Sequence, residues 1–383
     1  MEKKNLTLAW RRLNLMELGK DVIQVPYHLG KALGYQTEIL CGYPNELDAK
    51  VREKEESDFT FVRRWLTYNQ YQRMIVYFFY FMFHSRRIDL LVCFHWRLET
   101  FAVLFFHRLW NKKGQVYLKL DTDLGRDFEL THKNALERWC RRRIYHYLLD
   151  RVTLFSCETS SGYKRLCATP EFGSKLEKKL VWIPNSFDES TLKRLGIEEC
   201  NFEAKENVMI TVGRLGTRQK NTEMLLSALA QVDLKGWKFY FIGPIEEEFH
   251  KYIRSFYEHH PEKQSSVRFV GPIFDKKELW SYYNRAKVFV LTSRWEGSPL
   301  IFPEAKRFRN YLVSTNVGGA YDVIEKDKYG TLIPQEDDCA LSKVLNGIIN
   351  GDIFIDVYKD FDPQQLSYQR RLKTIVERLS GEK

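Results

Sequence analysis

Paired cysteines and long apolar runs are the two features that this sequence most clearly lacks. Its 383 residues include seven cysteines, an odd number, and none of them has the Cys-X-X-Cys spacing of a zinc knuckle. We therefore predict neither a disulfide framework nor a cysteine metal site, and reduced thiols in a cytosolic protein are the simplest interpretation. The N-terminal MEKKNLTLAWRR has no apolar stretch long enough for a signal peptide. The longest apolar run, residues 74–83, has about half of the roughly 20 residues of a spanning helix, so no transmembrane segment is expected.

The charge balance is basic, with 60 Lys and Arg against 50 Asp and Glu, a net charge of +10. Such an excess favours anionic partners, which include nucleic acid, phosphorylated small molecules and acidic membranes. Residues 60–151 interleave the basic clusters with aromatic side chains, as in ERWCRRRIYHYLLDR from Glu137. This pattern is typical of an anionic membrane interface or of nucleic-acid binding, although a solvated basic face over an aromatic core would also explain it.

At 383 residues the chain is too long for one ordinary hydrophobic core, so we predict two α/β domains. Short runs rich in Val, Ile and Phe alternate with helical patterns, which is typical of βαβ units and a parallel sheet. The predicted strands are residues 6–9, 37–40, 90–94, 116–120, 152–155, 181–183, 208–212, 238–242, 267–270, 288–291 and 312–315. The predicted helices include residues 22–33, 71–83, 100–110, 135–149, 160–167, 221–232, 246–259 and 276–285.

The fold class is therefore α/β, with two Rossmann-like, doubly wound domains facing a cleft. We place the two domains at residues 1–190 and 191–355 and a C-terminal segment at 356–383. Residues 186–207 are charged and read as a linker, and residues 363–379 read as one amphipathic helix that returns to the N-terminal domain. In such sheets ligands bind at the carboxyl ends of strands, so the loops that follow the strands are the places to search for a site.

The stretch SRWEGSPLIFPEAKRFR follows the predicted strand 288–291 and contains two glutamates separated by seven residues. Ser298 suits a helix N-cap and Pro299 the first helical position, while Glu304 falls about one turn later. Backbone N–H groups at that helix start, flanked by Glu296 and Glu304, suit a ligand with phosphates in the middle and hydroxyls at both ends. A nucleotide-diphosphate sugar has this layout, although two solvated acids near a helix start would look the same.

Two further loops at strand ends strengthen this interpretation. GRLGTRQKN follows strand 208–212 and offers Gly213 for a tight turn, with Arg214 and Lys220 as cations for phosphate. NVGGAYDVIE follows strand 312–315, and Gly318 with Gly319 would let the backbone approach a ligand closely, although an ordinary turn would also explain the glycines.

Together these motifs resemble retaining glycosyltransferases of the GT-B fold, family GT4, and the resemblance is dense over residues 207–334. It implies that Glu304 binds the ribose hydroxyls, that Glu296 contacts the donor sugar, and that Arg214 and Lys220 neutralise the diphosphate. It also implies backbone contacts to the phosphates and the base from Ser298, Pro299, Leu300, Ile301, Gly213, Val270, Gly271 and Ile273.

This sequence departs from the family pattern at several positions. The spacing from Arg214 to Lys220 is one residue longer than is common, which puts the reach of Lys220 in question. Lys306 and Arg307 stand where small or apolar residues are more usual, and we expect them at the surface. Gly19 is the only glycine available for the Gly-rich loop that usually follows the first strand.

The catalytic residue on the acceptor side is predicted less directly. The family often has a His after a central N-terminal strand, whereas here strand 116–120 runs into Asp121-Thr122-Asp123. We rank Asp121 or Asp123 first and His95 second. An Asp-X-Asp pair holds a divalent metal in glycosyltransferases of the different GT-A fold. Here Arg214 and Lys220 already supply the positive charge that a metal would bring to the diphosphate, so we expect no metal and no cofactor.

The sequence thus predicts a hexosyltransferase that moves a sugar from a UDP- or GDP-linked donor to a hydroxyl of a glycan or lipid-linked acceptor. The expected context is cell-envelope polysaccharide or lipopolysaccharide synthesis, in the cytoplasm or peripherally on the inner face of the plasma membrane. Two alternatives stay open. One is a GT-B sugar-nucleotide epimerase, and the other is a nucleic-acid-binding protein that uses the basic aromatic half, although nucleic acid is not the partner that we expect.

Overall fold

The computed structural model describes residues 3–14, 17–55, 59–64, 69–120 and 134–381, with the backbone alone at residues 54 and 55. The chain divides into two compact units. The first comprises Met1–Pro184 with Tyr368–Lys383, and the second comprises Asn185–Ser367. Each unit is built on one parallel sheet, which confirms the predicted fold class.

The first unit has a seven-stranded sheet in the order β3-β2-β1-β4-β5-β6-β7. Its strands are β1 (Asn5–Arg12), β2 (Gln36–Gly42), β3 (Phe59–Arg63), β4 (Leu90–Phe94), β5 (Gln115–Lys119), β6 (Leu154–Cys157) and β7 (Leu180–Trp182). All neighbouring pairs are parallel. The central strand β4, LLVCF, is buried at every position, as expected for a strand covered on both faces.

Helices cover both faces of this sheet. They are α1 (Asp21–Leu33), α2 (Asp48–Glu55), α3 (Gln70–His84), α4 (Leu98–Trp110), α5 (Ala135–Arg151), α6 (Ser160–Cys167), α7 (Gly173–Glu177) and, numbered along the whole chain, α15 (Tyr368–Arg371) and α16 (Lys373–Ser380). Helices α3, α4 and α5 bury Phe81, Leu104 and Leu148 in the core on one face. Helices α1 and α16 bury Ile23 and Ile375 in the core on the other face.

Side-chain caps fix where α3 and α5 begin, and a glycine fixes where α1 ends. The Asn69 Oδ1 atom accepts a hydrogen bond from the Tyr71 N–H at 2.9 Å, which starts α3. The Asn134 Oδ1 atom accepts one from the Glu137 N–H at 2.8 Å, which starts α5. At the far end of α1, Gly34 adopts φ 69° and closes the helix in the left-handed conformation that glycine tolerates best.

The second unit has a six-stranded sheet in the order β10-β9-β8-β11-β12-β13. Its strands are β8 (Glu206–Val212), β9 (Lys238–Ile242), β10 (Val267–Gly271), β11 (Ala286–Leu291), β12 (Tyr311–Thr315) and β13 (Gly330–Ile333). Its helices are α8 (Glu189–Leu195), α9 (Thr222–Ala230), α10 (His250–His259), α11 (Lys276–Arg285), α12 (Ile301–Arg307), α13 (Ala320–Ile324) and α14 (Asp338–Asn350). Two apolar clusters enclose the sheet, one on each face.

Three sequence predictions differ from the structure. Strands β3 and β13 were not predicted, because one is a five-residue edge strand with partly exposed positions and the other is a four-residue run with a glycine. Residues 186–207 are more than a linker, since Asp188 caps α8 through the Thr191 N–H and Leu192 is buried. The terminal segment is not one helix, because a 3-10 turn, α15 and α16 succeed one another.

Candidate functional site

The loops that follow β8 and β11 lie side by side, because those two strands pair in the sheet. We name residues 213–221 the β8 loop and residues 292–300 the β11 loop. The Arg294 N–H of the β11 loop donates to the Gln219 carbonyl at 2.7 Å. The Thr292 hydroxyl donates to the carbonyls of Lys220 at 3.1 Å and Asn221 at 3.0 Å. The two loops therefore form one bonded substructure at the carboxyl end of the sheet.

Glu296 lies at the centre of this substructure. Its Oε1 atom accepts hydrogen bonds from Lys220 Nζ at 2.6 Å and from the Ser293 hydroxyl at 2.7 Å. Its Oε2 atom accepts one from Gln219 Nε2 at 3.1 Å. The side chains of Lys220 and Glu296 are 15% and 9% exposed, so both charges are largely shielded from water. Three donors thus hold this carboxylate in one position.

Arg214 joins the same network through Gln219. The guanidinium of Arg214 donates to Gln219 Oε1 at 3.1 Å, while the amide nitrogen of Gln219 donates to Glu296. The structure therefore brings together Arg214, Lys220 and Glu296, as the sequence predicted. It also adds Gln219, which we had not predicted because a glutamine in a charged loop carries no distinctive signal.

Glycines allow the neighbouring segments to approach these loops closely. A Cβ atom on Gly318 would lie 2.0 Å from the Gly297 carbonyl oxygen, so the glycine lets the loop after β12 contact the β11 loop backbone. A Cβ atom on Gly213 would lie 3.1 Å from Lys220 Cε. Gly318 therefore allows two loops to pack closely, and the predicted approach of this backbone to a ligand stays a prediction.

Glu304 is the second glutamate of the predicted pair, and it lies one turn into α12. Its Oε1 atom accepts hydrogen bonds from Lys276 Nζ at 2.8 Å and from the Trp280 indole N–H at 3.1 Å, both on α11. Its side chain is 13% exposed. The neighbouring helix therefore fixes the direction of this carboxylate.

Helix α12 begins at Ile301, later than the Ser298 and Pro299 start that the sequence predicted. The Ser298 carbonyl instead accepts a hydrogen bond from Asn185 Nδ2 at 2.6 Å, so this part of the β11 loop is tied to the start of the second unit. The phosphate-binding roles of the amides at Ser298, Leu300 and Ile301 stay predictions. The base-side roles of Val270, Gly271 and Ile273, at the end of β10, also stay predictions.

Lys306 and Arg307 are buried, and the expectation that they lie at the surface is wrong. Arg307 pairs with Glu189 at 2.5 Å and with Glu199 at 2.8 Å. Burial alone would lower the pKa of Arg307, but the hydrogen bonds with these carboxylates outweigh it and the pKa is raised. Lys306 donates to the Val323 carbonyl at 2.8 Å. Both cations therefore hold α12 against surrounding segments, which is a structural role.

The acceptor-side candidates lie in the first unit. Asp121 and Asp123 are outside the described residues, so their roles stay predictions. His95 follows β4 with φ 62°, and its N–H donates to the Lys119 carbonyl at 2.9 Å. Its ring centroid lies 5.7 Å from that of Trp10. Gly19 is exposed in the turn before α1, and a Cβ atom there would meet nothing within 4 Å, so its backbone does not require glycine.

A buried charge cluster at the same end of the first sheet was missed by the sequence analysis. Lys119, the last residue of β5, donates to Asp21 at 2.7 Å and also to Glu158. Burial alone would lower the pKa of Lys119, but the two carboxylates outweigh it and the pKa is raised. These three residues are far apart in sequence. The one signal that the sequence offers for the cluster is that Lys119 and Glu158 are charged residues at the ends of neighbouring strands.

Neither a metal site nor a membrane span emerges from the described residues. Among them, no three His, Cys, Asp or Glu side chains are grouped so that they could hold a metal ion. Within the same part of the chain, no helix combines the length and apolar character needed to cross a bilayer.

The second unit of the chain matches a known protein family. Residues 196–364 match the family described as Glycosyl transferases group 1. The "Amylovoran biosynthesis glycosyltransferase AmsD" of Erwinia amylovora is 32% identical over 129 residues, which are 33% of this chain and 35% of that protein. The "GalNAc-alpha-(1->4)-GalNAc-alpha-(1->3)-diNAcBac-PP-undecaprenol alpha-1,4-N-acetyl-D-galactosaminyltransferase" of Campylobacter jejuni is 30% identical over 166 residues, which are 41% of this chain and 43% of that protein. The chain thus spans less than half the length of these two curated relatives.

Solved structures resemble the whole chain. The lipopolysaccharide outer core galactosyltransferase WaaB, in its apo form, has a TM-score of 0.69 at 16% identity, with 99% of this chain and 100% of that chain covered. Anabaena Alr3699/HepE in complex with UDP has a TM-score of 0.67 at 15% identity, with 99% and 100% covered. At such identities the likeness establishes the fold, which is GT-B. The sequence match to the Glycosyl transferases group 1 family is confined to residues 196–364, whereas the shared fold extends over the whole chain.

Proposed function

We propose that this protein transfers a sugar from a nucleotide-diphosphate sugar to a hydroxyl of a glycan or lipid-linked acceptor in cell-envelope polysaccharide synthesis. The observation that carries the proposal is the bonded network of Arg214, Gln219, Lys220 and Glu296 at two neighbouring strand ends. It combines two cations with a fixed acceptor, which are the groups that a diphosphate and a sugar hydroxyl need. The names of the curated relatives, which refer to amylovoran and to an undecaprenol-linked glycan, support the cell-envelope context.

The chemistry requires stabilisation of the departing nucleoside diphosphate. When the bond between the sugar and the phosphate oxygen breaks, negative charge accumulates on the diphosphate, and preorganised cations lower the energy of that transition state. Lys220 is already oriented by Glu296, and Arg214 by Gln219, so little reorganisation is needed. Retention of anomeric configuration, and the identity of the group that activates the acceptor, rest on the family resemblance.

Glu304 is proposed to bind the ribose hydroxyls of the donor. Its carboxylate accepts two hydrogen bonds from α11, and an ionised carboxylate has about four acceptor positions, so it can accept from hydroxyls as well. A UDP- or GDP-linked donor is proposed, and the UDP-bound HepE structure supports the first of these. The chain is proposed to act without a metal or cofactor, because Arg214 and Lys220 supply positive charge beside the diphosphate.

Thermal unfolding with UDP, GDP, ADP, CMP or TDP, each with and without EDTA, tests the donor site. A ligand at about 100 times its dissociation constant stabilises a fold by about 2.7 kcal/mol, which gives a visible shift in Tm. We expect a shift with UDP or GDP that EDTA leaves unchanged and that Lys220→Met removes. The matched control is Lys287→Met, near the opposite end of β11, where Nζ donates to Asn207 Oδ1 at 2.8 Å. No shift with any of the nucleotides would overturn the proposal.

Product analysis then separates transfer from epimerisation. With the donor alone, a transferase leaves the sugar configuration unchanged, whereas an epimerase converts the donor or releases an altered sugar. We expect conversion only when an acceptor glycan is supplied.

The proposed location is the inner face of the plasma membrane, in peripheral association. A lipid-linked acceptor would confine the reaction to that surface, and the Campylobacter relative is named for an undecaprenol-diphosphate-linked substrate.

A further inference from the structure

Helix α3 carries a row of apolar side chains that point away from the core. Tyr71, Ile75, Phe79 and Phe83 follow one another at intervals of four residues, so they lie along one side of the helix over roughly 18 Å. Each of them is more than half exposed, and Phe83 reaches 71%. The opposite side of the helix is buried through Tyr77 and Phe81. A soluble helix normally presents polar residues where α3 presents this row.

Helices α4 and α5 extend the apolar surface. Phe78 of α3 contacts Phe106 of α4, with ring centroids 5.4 Å apart, and Phe105 of α4 contacts Tyr147 of α5, at 6.2 Å. The three helices therefore form one layer on one face of the first sheet. Ten of the sixteen large apolar side chains that are exposed in the described part of the chain lie on these helices. We define the α3–α5 face by Tyr71, Ile75, Phe79, Phe83, Phe105, Leu109, Trp139 and Ile144.

The three helices, together with the short segments 85–87 and 111–113 that follow the first two of them, carry most of the net positive charge of the protein. Residues 70–87, 98–113 and 135–151 contain eleven Arg and Lys but only three Asp and Glu, a net charge of +8 out of +10 for the chain. All three acids are paired with cations, Glu99 with Arg73, Glu137 with Arg141 and Asp150 with Lys175. The guanidinium of Arg143 lies 5.4 Å from the Trp139 ring centroid. Apolar side chains and an excess of cations over acids therefore lie on the same part of the first unit, and Arg143 adjoins one of the exposed aromatic rings.

We propose that the α3–α5 face is the surface with which this protein binds an anionic phospholipid bilayer. Aromatic and aliphatic side chains enter the interfacial region of a bilayer, while Arg and Lys attract acidic headgroups. A second copy docked face to face would bring the excess cations of both copies together, which disfavours a homodimer through this face. Nucleic acid would use the cations and the stacking aromatics, but it gives no reason to expose Ile75, Leu109 and Ile144. The combination of aliphatic, aromatic and basic groups fits the bilayer.

This inference deepens the proposed peripheral location, but it rests on a surface of the first unit and does not depend on the donor site. The assay is co-sedimentation with vesicles of phosphatidylcholine alone or mixed with phosphatidylglycerol, at low and at high salt. We expect binding to the mixed vesicles that falls at high salt. Nucleotide-induced thermal shift, measured on the same samples, reports the donor site separately. Failure of one result therefore does not imply failure of the other.

Matched variants assign the binding to the face. Phe83→Ser should weaken binding to the mixed vesicles about tenfold, since it removes one large apolar side chain from the interface. Phe354→Ser, in the second unit and 74% exposed, is the matched control and should bind like the parent protein. Arg143→Ser should weaken binding about fivefold, as expected for one basic residue near an anionic leaflet. Arg254→Ser on α10 is its control. Thermal unfolding of each variant verifies that it is folded.

Several results would overturn the proposal. Absence of binding to mixed vesicles at low salt would do so, and so would equal binding by Phe83→Ser and Phe354→Ser. A parent protein that sediments as a dimer in solution, with Phe83→Ser monomeric, would assign the face to a second copy. Salt-dependent binding to RNA or DNA, lost in Arg143→Ser and without any lipid binding, would assign it to nucleic acid.

Discussion

The energetic role of the ion pair between Lys220 and Glu296 can be measured directly. Its Nζ and Oε1 atoms are 2.6 Å apart, and the two side chains are 15% and 9% exposed. Removing one partner of a buried pair leaves an uncompensated charge and usually costs about 3–5 kcal/mol. Because this pair belongs to two loops and keeps some contact with water, we expect about 2–3 kcal/mol for Lys220→Met or Glu296→Gln.

The double variant distinguishes a coupled pair from two independent side chains. Lys220→Met with Glu296→Gln removes both charges, so it should cost about 2 kcal/mol less than the sum of the single variants. Urea unfolding followed by tryptophan fluorescence measures this, with Trp280 and Trp295 as reporters in the second unit. Lys287→Met, which loses a neutral amide partner and contacts with the rings of Phe202 and Trp237 but no counter-charge, should cost about 0.5 kcal/mol or less. Additivity within about 0.5 kcal/mol would refute the coupling.

The two single variants should separate when a nucleoside diphosphate is added. Lys220→Met removes a cation that we propose binds the diphosphate, so we expect the thermal shift with UDP or GDP to be lost. Glu296→Gln lowers the stability of the free protein but leaves Lys220 without its counter-charge, so the shift should be retained or increase. If both variants lost the shift equally, Glu296 would contribute to nucleotide binding itself, and the view of it as a counter-ion would be wrong.

Three further changes test other parts of the structure. Glu304→Gln should weaken nucleotide binding about tenfold in calorimetry, because charge-assisted hydrogen bonds contribute about 1.5–3 kcal/mol, and an unchanged Kd would contradict the ribose role. Arg307→Met leaves the carboxylates of Glu189 and Glu199 without their cation and should lower the free energy of unfolding in urea by about 3–5 kcal/mol. A decrease below about 1 kcal/mol would show that these ion pairs contribute little to stability. Burial lowers the pKa of His107 to about 3, so as pH falls below 6.5 the unfolded chain takes up a proton that the folded chain does not. Stability should therefore fall by about 2 kcal/mol between pH 7 and pH 5, and this part of the loss should be absent in His107→Phe.

The sheet architecture was predictable because its signals are local. Each buried parallel strand is a short run of Val, Ile, Leu and Phe, and β4 coincides with the predicted residues 90–94. The helices between the strands repeat apolar residues at helical intervals, and Ser160–Cys167 was likewise predicted at its observed bounds. Such patterns are read within ten or fifteen residues, so they need no knowledge of the rest of the chain.

The site was predictable only in part, because its partners are distant in sequence. That Glu296 and Lys220 belong to one site followed from their positions at strand ends, but their direct pairing depends on β8 lying beside β11. The burial of Arg307 required Glu189 and Glu199, more than one hundred residues earlier, to fold against α12. In the sequence alone, a buried charged residue whose partners are distant looks the same as a surface residue. The surface position that we expected for Arg307 was wrong for this reason.

The long spacing between Arg214 and Lys220 is the departure from the family that bears most on function. Despite the additional residue, Lys220 lies against Gly213 and reaches Glu296. The same loop also places Gln219 between the Arg214 guanidinium and the Glu296 carboxylate. In the free protein, one carboxylate is thus bonded to Lys220 directly and connected to Arg214 through a neutral amide. An incoming diphosphate would meet two cations that are oriented but only partly neutralised, and Glu296 would still hold Lys220 in position for it.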